Sequence, residues 1–430
     1  MTSPDLDSPA FPPLAGRDPP HRRGVLHGAL PGRSHATTGS DAVHAPFMPV
    51  VARPPLVMAR GEGSYMWDES GRRYLDFLQG WAVNALGHSA PEVQAALAEQ
   101  SSLLITPSPA FHNRPAIELS RLLVALTGAA QVAFLNSGAE ANETAIKLSR
   151  KWGRRYKRGA FGIVTTTGAF HGRTLAAMAA SGKPGWDELF PPYPPGFSRV
   201  PFGDLAAMER AIDDNTVALM LEPIQGEAGV VVPPAGYLRG LRELCDRHDL
   251  LLVLDEVQTG LGRTGHFLAQ EREGVRADIT TLGKGLGAGL PVSAVLASER
   301  AACFELGDNG STHGGNPLTA QVALAVCRVI SEPAFLRRVV ELGAELSTAL
   351  GTLAAGWGRA TLRGAGLLQA IVLEDAVAER ITELARAEGL LINAARPTIL
   401  RFMPMLRVTT AEIRDMASRL GRAHARLESD

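Results

Sequence analysis

The feature that most constrains this chain is an alternation between residues 131 and 296. Short apolar runs at 131–135, 161–165, 216–221, 250–254, 278–282 and 292–296 read as strands. Helical patterns at 140–156, 205–213 and 235–248 stand between them. Such strands, buried on both faces and separated by helices, predict a mostly parallel sheet covered on both sides, an α/β fold. In sheets of this kind ligands bind where the chain leaves the carboxyl ends of the strands. The residues just past each strand are therefore the ones to read for chemistry.

Two of these exits stand out. LLLVLDEVQTGLGRTGHF ends its strand in Asp255 and Glu256, and ADITTLGKGLGAGLP carries Lys284 between Gly283 and Gly285. A lysine flanked by glycines can be approached closely by a bulky planar partner. One lysine and one aspartate at strand ends suit pyridoxal phosphate (PLP). The lysine would hold the aldehyde as a Schiff base, and the aspartate would keep the pyridine nitrogen protonated so that the ring accepts electrons. On composition alone a plainer reading is stronger, a solvated lysine and a strand-ending acid, because most lysines are surface residues.

The other exits each carry two readings. SGAEANE, 137–143, sets Ser137, Gly138 and Ala139 at a helix N-terminus, an anion site by geometry and dipole. It is also a simple cap, with Asn136 or Ser137 capping and Glu140 in the first turn. In GAFHGRT, 168–174, Phe170 suits stacking on a flat ring and Arg173 suits a carboxylate. The alternative is a core phenylalanine and a surface arginine. EPIQGEAGV, 222–230, sets Glu222 and Glu227 in a polar loop, or in a solvated turn. Gln258 suits a ring hydroxyl, or is an ordinary loop glutamine. STHGGNP, 311–317, suits a second phosphate contact, or is a boundary loop. GLGAGLP has the wrong spacing for a dinucleotide fingerprint. Except at 311–317, where the two are even, the plainer reading of each prevails when it is taken singly.

At 430 residues two domains are the default. The net charge of −1 implies no polyelectrolyte partner, so nucleic acid and anionic membrane surfaces are disfavoured. Cys245, Cys303 and Cys327 are too scattered for a disulfide framework or a metal site, which fits a reducing compartment such as the cytoplasm. Residues 1–46, rich in Pro, Gly, Ser, His and Arg, are expected to be disordered, with Met48 as a candidate natural start. A hairpin is expected at 64–67 and 73–77 around a turn at 69–71. Beyond Pro317, helices at 318–330, 333–353, 376–388 and 410–427 surround strands at 366–372 and 398–402. We expect that α+β part to share its sheet with the early hairpin.

In combination, SGAEANE, FHGRT, EPIQGE, LDEVQTGLGRTG, TLGKGLGAGLP and GGNPL resemble the class III ω-aminotransferases of PLP fold type I. The resemblance runs from about residue 51 to the end. RGEGSYMWDESGRRYLDF, WAVNALGH and LRFMP are similar to the subgroup acting on acetylornithine. It implies an aspartate aminotransferase-like large domain with a mostly parallel central sheet at 81–316. A smaller α+β domain would occupy 317–430, joined by 47–80. It implies that Lys284 is the Schiff-base lysine and proton shuttle, that Asp255 pairs with the pyridine nitrogen, and that Gln258 sits by the ring hydroxyl. Phe170 would stack on the ring, with His171 and Glu222 also on the cofactor side. Gly138 and Ala139 would hold the phosphate, with Ser137 on the same loop. Thr312 would reach it from the neighbouring subunit of a homodimer. Arg173 would grip the donor's α-carboxylate, with Asn113 on the substrate side. Arg401 would bind a carboxylate of glutamate or 2-oxoglutarate, masked by Glu227 in the other half-reaction. No metal is implied. The implied donor is N-acetylornithine, with ornithine, succinylornithine and 4-aminobutyrate as alternatives. A racemase or decarboxylase on the same fold is disfavoured by Arg173 and Glu227, and a non-catalytic scaffold by Lys284 with Asp255.

Overall fold

The computed structural model describes residues 46–358 and 360–429; all but the last residue of the expected disordered extension lies outside them. The chain divides at Leu56. Residues 46–56 carry no helix or strand and are mostly exposed. Every element below belongs to the second unit.

Strands β1 (Met58–Glu62), β2 (Tyr65–Asp68) and β3 (Arg73–Asp76) form an antiparallel meander. The expected hairpin is β2–β3. Its turn is held by Asp68, whose Oδ1 accepts from the Ser70 and Arg72 amides at 2.9 and 3.0 Å. This is the local competition with the backbone that makes aspartate a turn residue.

The central sheet contains β4 (Gln131–Leu135), β5 (Gly162–Thr166), β6 (Phe197–Val200), β7 (Thr216–Leu221), β8 (Leu251–Asp255), β9 (Ile279–Leu282) and β10 (Ser293–Ala297). The order is β4-β10-β9-β8-β7-β5-β6, and every pairing is parallel except those of β10, which runs antiparallel to both neighbours. The strand β6 was not expected. Its sequence, FSRV, is short and half polar because it lies at the sheet edge with one neighbour.

Helices cover both faces, and β8 shows how. Leu251 and Val253 pack with Ala141 and Ala145 of the helix Gly138–Tyr156. Leu250, Leu252 and Leu254 pack with Leu241 and Leu244 of the helix Tyr237–Arg247 on the opposite side. Alternate side chains of one strand thus serve two cores.

After helices Pro317–Ile330 and Pro333–Gly356 come β11 (Ala360–Ala365), β12 (Leu368–Leu373), β13 (Leu390–Leu391), β14 (Asn393–Arg396) and β15 (Ile399–Phe402). The order β11-β12-β15-β14 makes a separate antiparallel sheet. Sharing with the early hairpin is confined to β13, which pairs with β3. The helices Ala378–Ala387 and Thr410–Ser429 complete this part.

Candidate active site

The alternation along β8 decides which of its two terminal acids faces the site. Asp255 continues the series of Leu251 and Val253, so it emerges on the side of the helix Gly138–Tyr156. It is only 3% exposed. Its Oδ2 accepts from Asn142 Nδ2 at 2.7 Å and His171 Nδ1 at 2.8 Å, and its Oδ1 from the Val257 amide at 3.0 Å. Donors converging on a buried acid are the environment a carboxylate needs. Asn142 is fixed in turn: Thr281 Oγ1 donates to its Oδ1 at 2.8 Å, and its Nδ2 also reaches the His171 carbonyl at 2.7 Å.

Glu256 points the other way. It accepts from the amides of Ala269 and Gln270 and from Thr259 Oγ1, all within 2.9 Å, and anchors the turn Ala269–Glu273. Burial pushes its carboxyl up to about 7, against the pull of those donors.

Lys284 lies just past β9, at the start of a short turn, with φ 42° in the left-handed region. A non-glycine residue there is strained. Lys284 is half-buried. Loss of water lowers its ammonium pKa below the usual lysine value. Glu227 opposes this most strongly, Arg401 adds to it, and Glu222 and Asp255 oppose it. These charged groups therefore share one region.

The acids of the loop after β7 are held in different states. Glu222 accepts from the amides of Phe170 at 2.9 Å and Gly226 at 3.0 Å. Burial, and then the negative charge of Asp255, push it up to about 7; His171 and the two amides hold it back. Burial would also raise Glu227, but the charges of Arg401 and Lys284 outweigh it and hold this carboxyl down to about 2. Arg401 is 1% exposed and lies on β15. Its Nη1 reaches Glu227 Oε1 at 2.7 Å and the Gly226 carbonyl at 2.9 Å, and its Nε reaches Asn393 Oδ1 at 3.0 Å.

The loops are drawn together because glycines let them touch. A Cβ on Gly138 would lie 2.7 Å from Val257 Cγ1, and one on Gly172 would lie 2.6 Å from the Ala139 Cβ. A Cβ on Gly226 would stand 1.9 Å from Gln258 Oε1. Ser137 caps its helix, with Oγ accepting from the Glu140 amide at 3.2 Å and donating to Glu140 Oε2 at 3.0 Å. Gly138 and Ala139 open the first turn, whose N–H groups have no intrahelical acceptor. The cap reading and the anion-site reading are thus compatible.

Phe170 meets Trp186 edge-on, with ring centres 5.6 Å apart. Arg173 is exposed, and its guanidinium lies over the same indole, 5.2 Å from the ring centre. Thr312 and Asn113 fall elsewhere in the chain. They line a cleft of about 260 Å³ whose walls include none of Lys284, Asp255 and Phe170. Asn113 spends its side chain on capping the helix Arg114–Thr127 and on the Gly315 carbonyl.

Sequence reasoning did not single out Asn142, Trp186, Lys183 or Asn393. Asn142 left a signal, since asparagine is a poor choice inside a helix unless its amide is used. Two buried donor-capable atoms at the site have no partner, His171 Nε2 beside Asp255 and Gln258 Nε2 beside Arg401. A half-buried lysine, a donor-lined acid, two buried polar atoms without partners and glycines where side chains would intrude together fit a flat heterocycle with polar substituents. PLP is such a group.

The chain is similar to known proteins over most of its length. The family described as aminotransferase class-III matches residues 47–423. Acetylornithine aminotransferase 2 of Bordetella pertussis is 50% identical over 376 residues, covering 87% of this chain and 95% of that protein. Among solved structures, N-acetylornithine aminotransferase from Stenotrophomonas maltophilia superposes with a TM-score of 0.78 at 36% identity, covering 91% and 99% of the two chains. An ornithine aminotransferase from Toxoplasma gondii, with partial occupancy of PLP at its active site, superposes with a TM-score of 0.87 at 35% identity, covering 91% and 95%.

Proposed function

The chain belongs to the class-III aminotransferases, a PLP-dependent family, and from that premise we propose that it moves the terminal amino group of N2-acetylornithine to 2-oxoglutarate. The products are N-acetylglutamate 5-semialdehyde and glutamate, a step of arginine biosynthesis. The observation that carries a two-substrate cycle is the Arg401–Glu227 pair at 2.7 Å, next to Lys284. A buried arginine already neutralised by an acid accepts an uncharged substrate end. Once the acid withdraws, the same arginine accepts a carboxylate. The names of the relatives support the donor.

Bound PLP supplies an aldehyde for the donor amine and a ring that accepts electrons. Everything else is done by this chain. Asp255, fixed by Asn142 and His171, holds the proton of the ring nitrogen. Lys284 Nζ, its pKa lowered by burial, takes a proton from the substrate carbon as a neutral amine and returns it as an ammonium. Gln258 would offer Nε2 to the ring oxygen, Phe170 would cover a ring face, and Glu222 and His171 would lie on the cofactor side. Ser137, Gly138 and Ala139 would receive the phosphate at the helix N-terminus. Arg173 grips the donor's α-carboxylate, and Arg401 that of 2-oxoglutarate.

In a homodimer Thr312 serves the site of the other subunit and Asn113 lies near it. Exposed Leu103, Ile105 and Phe111 beside that cleft support a covered face. The strands of the central sheet all fall within 81–316 and pair with no other sheet, which supports a large domain there and a smaller one at 317–430. Buried, unpaired Cys245, Cys303 and Cys327 support a cytoplasmic setting.

The test is a donor panel with 2-oxoglutarate. Acetylornithine should give the highest kcat/KM, and Lys284→Ala should abolish turnover and the visible absorption shift of the bound cofactor. Faster turnover of 4-aminobutyrate than of acetylornithine would overturn the donor assignment.

A further inference from the structure

Trp186 is 6% exposed, yet two cations rest on it. The Arg173 guanidinium and the Lys183 ammonium each lie 5.2 Å from its ring centre. The same indole meets Phe170, and Phe170 is the neighbour of His171, which bonds Asp255. Trp186 therefore ties the two cations to the floor of the site by cation–π attraction and ring packing. No carboxylate pairs with Arg173 or Lys183 among the described residues.

We propose that Lys183 is a specificity-determining residue that selects amino donors whose α-amino group is acylated. This rests on the donor chemistry argued above and deepens it. A free amino acid presents both a carboxylate and an ammonium at its α end. Arg173 and Lys183 together attract the first and repel the second. Acylation removes the ammonium's charge and leaves the carboxylate, so the whole α end becomes an anion. Lys183 supplies charge without a fork, so it adds to the field while Arg173 sets the orientation. Burial, and then Arg396 and Arg173, lower the Lys183 pKa, with Glu227 opposing. A third cation, Arg396, is thus close enough for Lys183 to feel its charge. Glu227, the acid whose charge reaches Lys183, is already bonded to Arg401.

The experiment compares kcat/KM for N-acetylornithine and ornithine in wild type, Lys183→Met and Lys183→Arg. Equilibrium binding of N-acetylnorvaline and norvaline to each holoenzyme is measured alongside by calorimetry. In Lys183→Met the preference for the acylated compound should fall about tenfold in both measurements, while Lys183→Arg retains it. An equal loss for acylated and free compounds, or no change in the preference, overturns the proposal. Melting temperature separates a misfolded variant from either result. If wild type transaminates neither donor, the donor assignment fails, yet the norvaline pair still decides the role of Lys183.

Discussion

Asn142 shows how much of the site rests on a residue that touches it from behind. Its amide joins Asp255, the His171 carbonyl and Thr281. Asn142→Ala would leave the buried His171 carbonyl without its donor, Thr281 with only its long 3.4 Å bond to Asp255, and Asp255 with one fewer donor. We expect stability to fall by about 1–3 kcal/mol and PLP to bind roughly tenfold more weakly, read by denaturant unfolding and by absorbance titration of the apoprotein. Unchanged affinity would show that His171 and the Val257 amide orient the acid without Asn142. Lys284, Asp255, Gln258, Glu222 and Glu227 were legible in the sequence because each sits at a strand exit, a place defined by chain order. Asn142 was not, because its partners Asp255 and Thr281 lie far off in sequence, and Trp186 was not, because its contacts with Phe170, Arg173 and Lys183 depend on how an irregular segment folds back. Glu256 was legible as an acid, and its direction, away from the site, follows from the strand's alternation, which sets it on the side of Leu252 and Leu254.

At the scale of elements, two helical glycines make opposite predictions. Gly153 in the helix Gly138–Tyr156 runs against the sheet, and an added Cβ would stand 2.1 Å from the Ala160 carbonyl and 2.3 Å from Val217 Cγ1. Gly153→Ala should cost roughly 1–3 kcal/mol or more, since the backbone must move. Gly351 in the helix Pro333–Gly356 meets nothing closer than 3.9 Å, so Gly351→Ala should stabilise by about 0.5–1 kcal/mol. Urea unfolding measures both, and a loss at Gly351 would contradict the open surroundings. The central elements followed from apolar runs because burial on both faces writes a plain pattern. The edge strand β6 and the strand β14, NAAR, did not, because half-buried strands carry polar residues that mimic loops.

The whole molecule records its buried acids in its pH dependence. Glu222 and Glu256 hold their protons up to about 7, above their ordinary 4.5, so folding is favoured at low pH and loses that stability as pH rises from 4.5 through 7. Glu227, held down to about 2, acts oppositely: its stabilisation is present above 4.5 and is lost as pH falls toward 2. These two acids should therefore pull the melting temperature down between pH 5 and 7.5, against His266 and His424, whose pKa values burial lowers and which pull it up as pH rises, and Glu256→Gln should remove part of the downward pull whatever it does to the absolute value. An unaltered slope in calorimetry at fixed ionic strength would remove Glu256 as its source. The antiparallel course of β10 has a different consequence. It brings Ser293, whose hydroxyl holds the Ser137 carbonyl at 2.8 Å, back to the edge from which Lys284 departed. Lys284 thus rides on a short out-and-back excursion, with the helix Pro317–Ile330 packed on it. A segment pinned in this way is expected to take up the vitamin without refolding, which unchanged near-ultraviolet circular dichroism on stripping and reloading PLP would check.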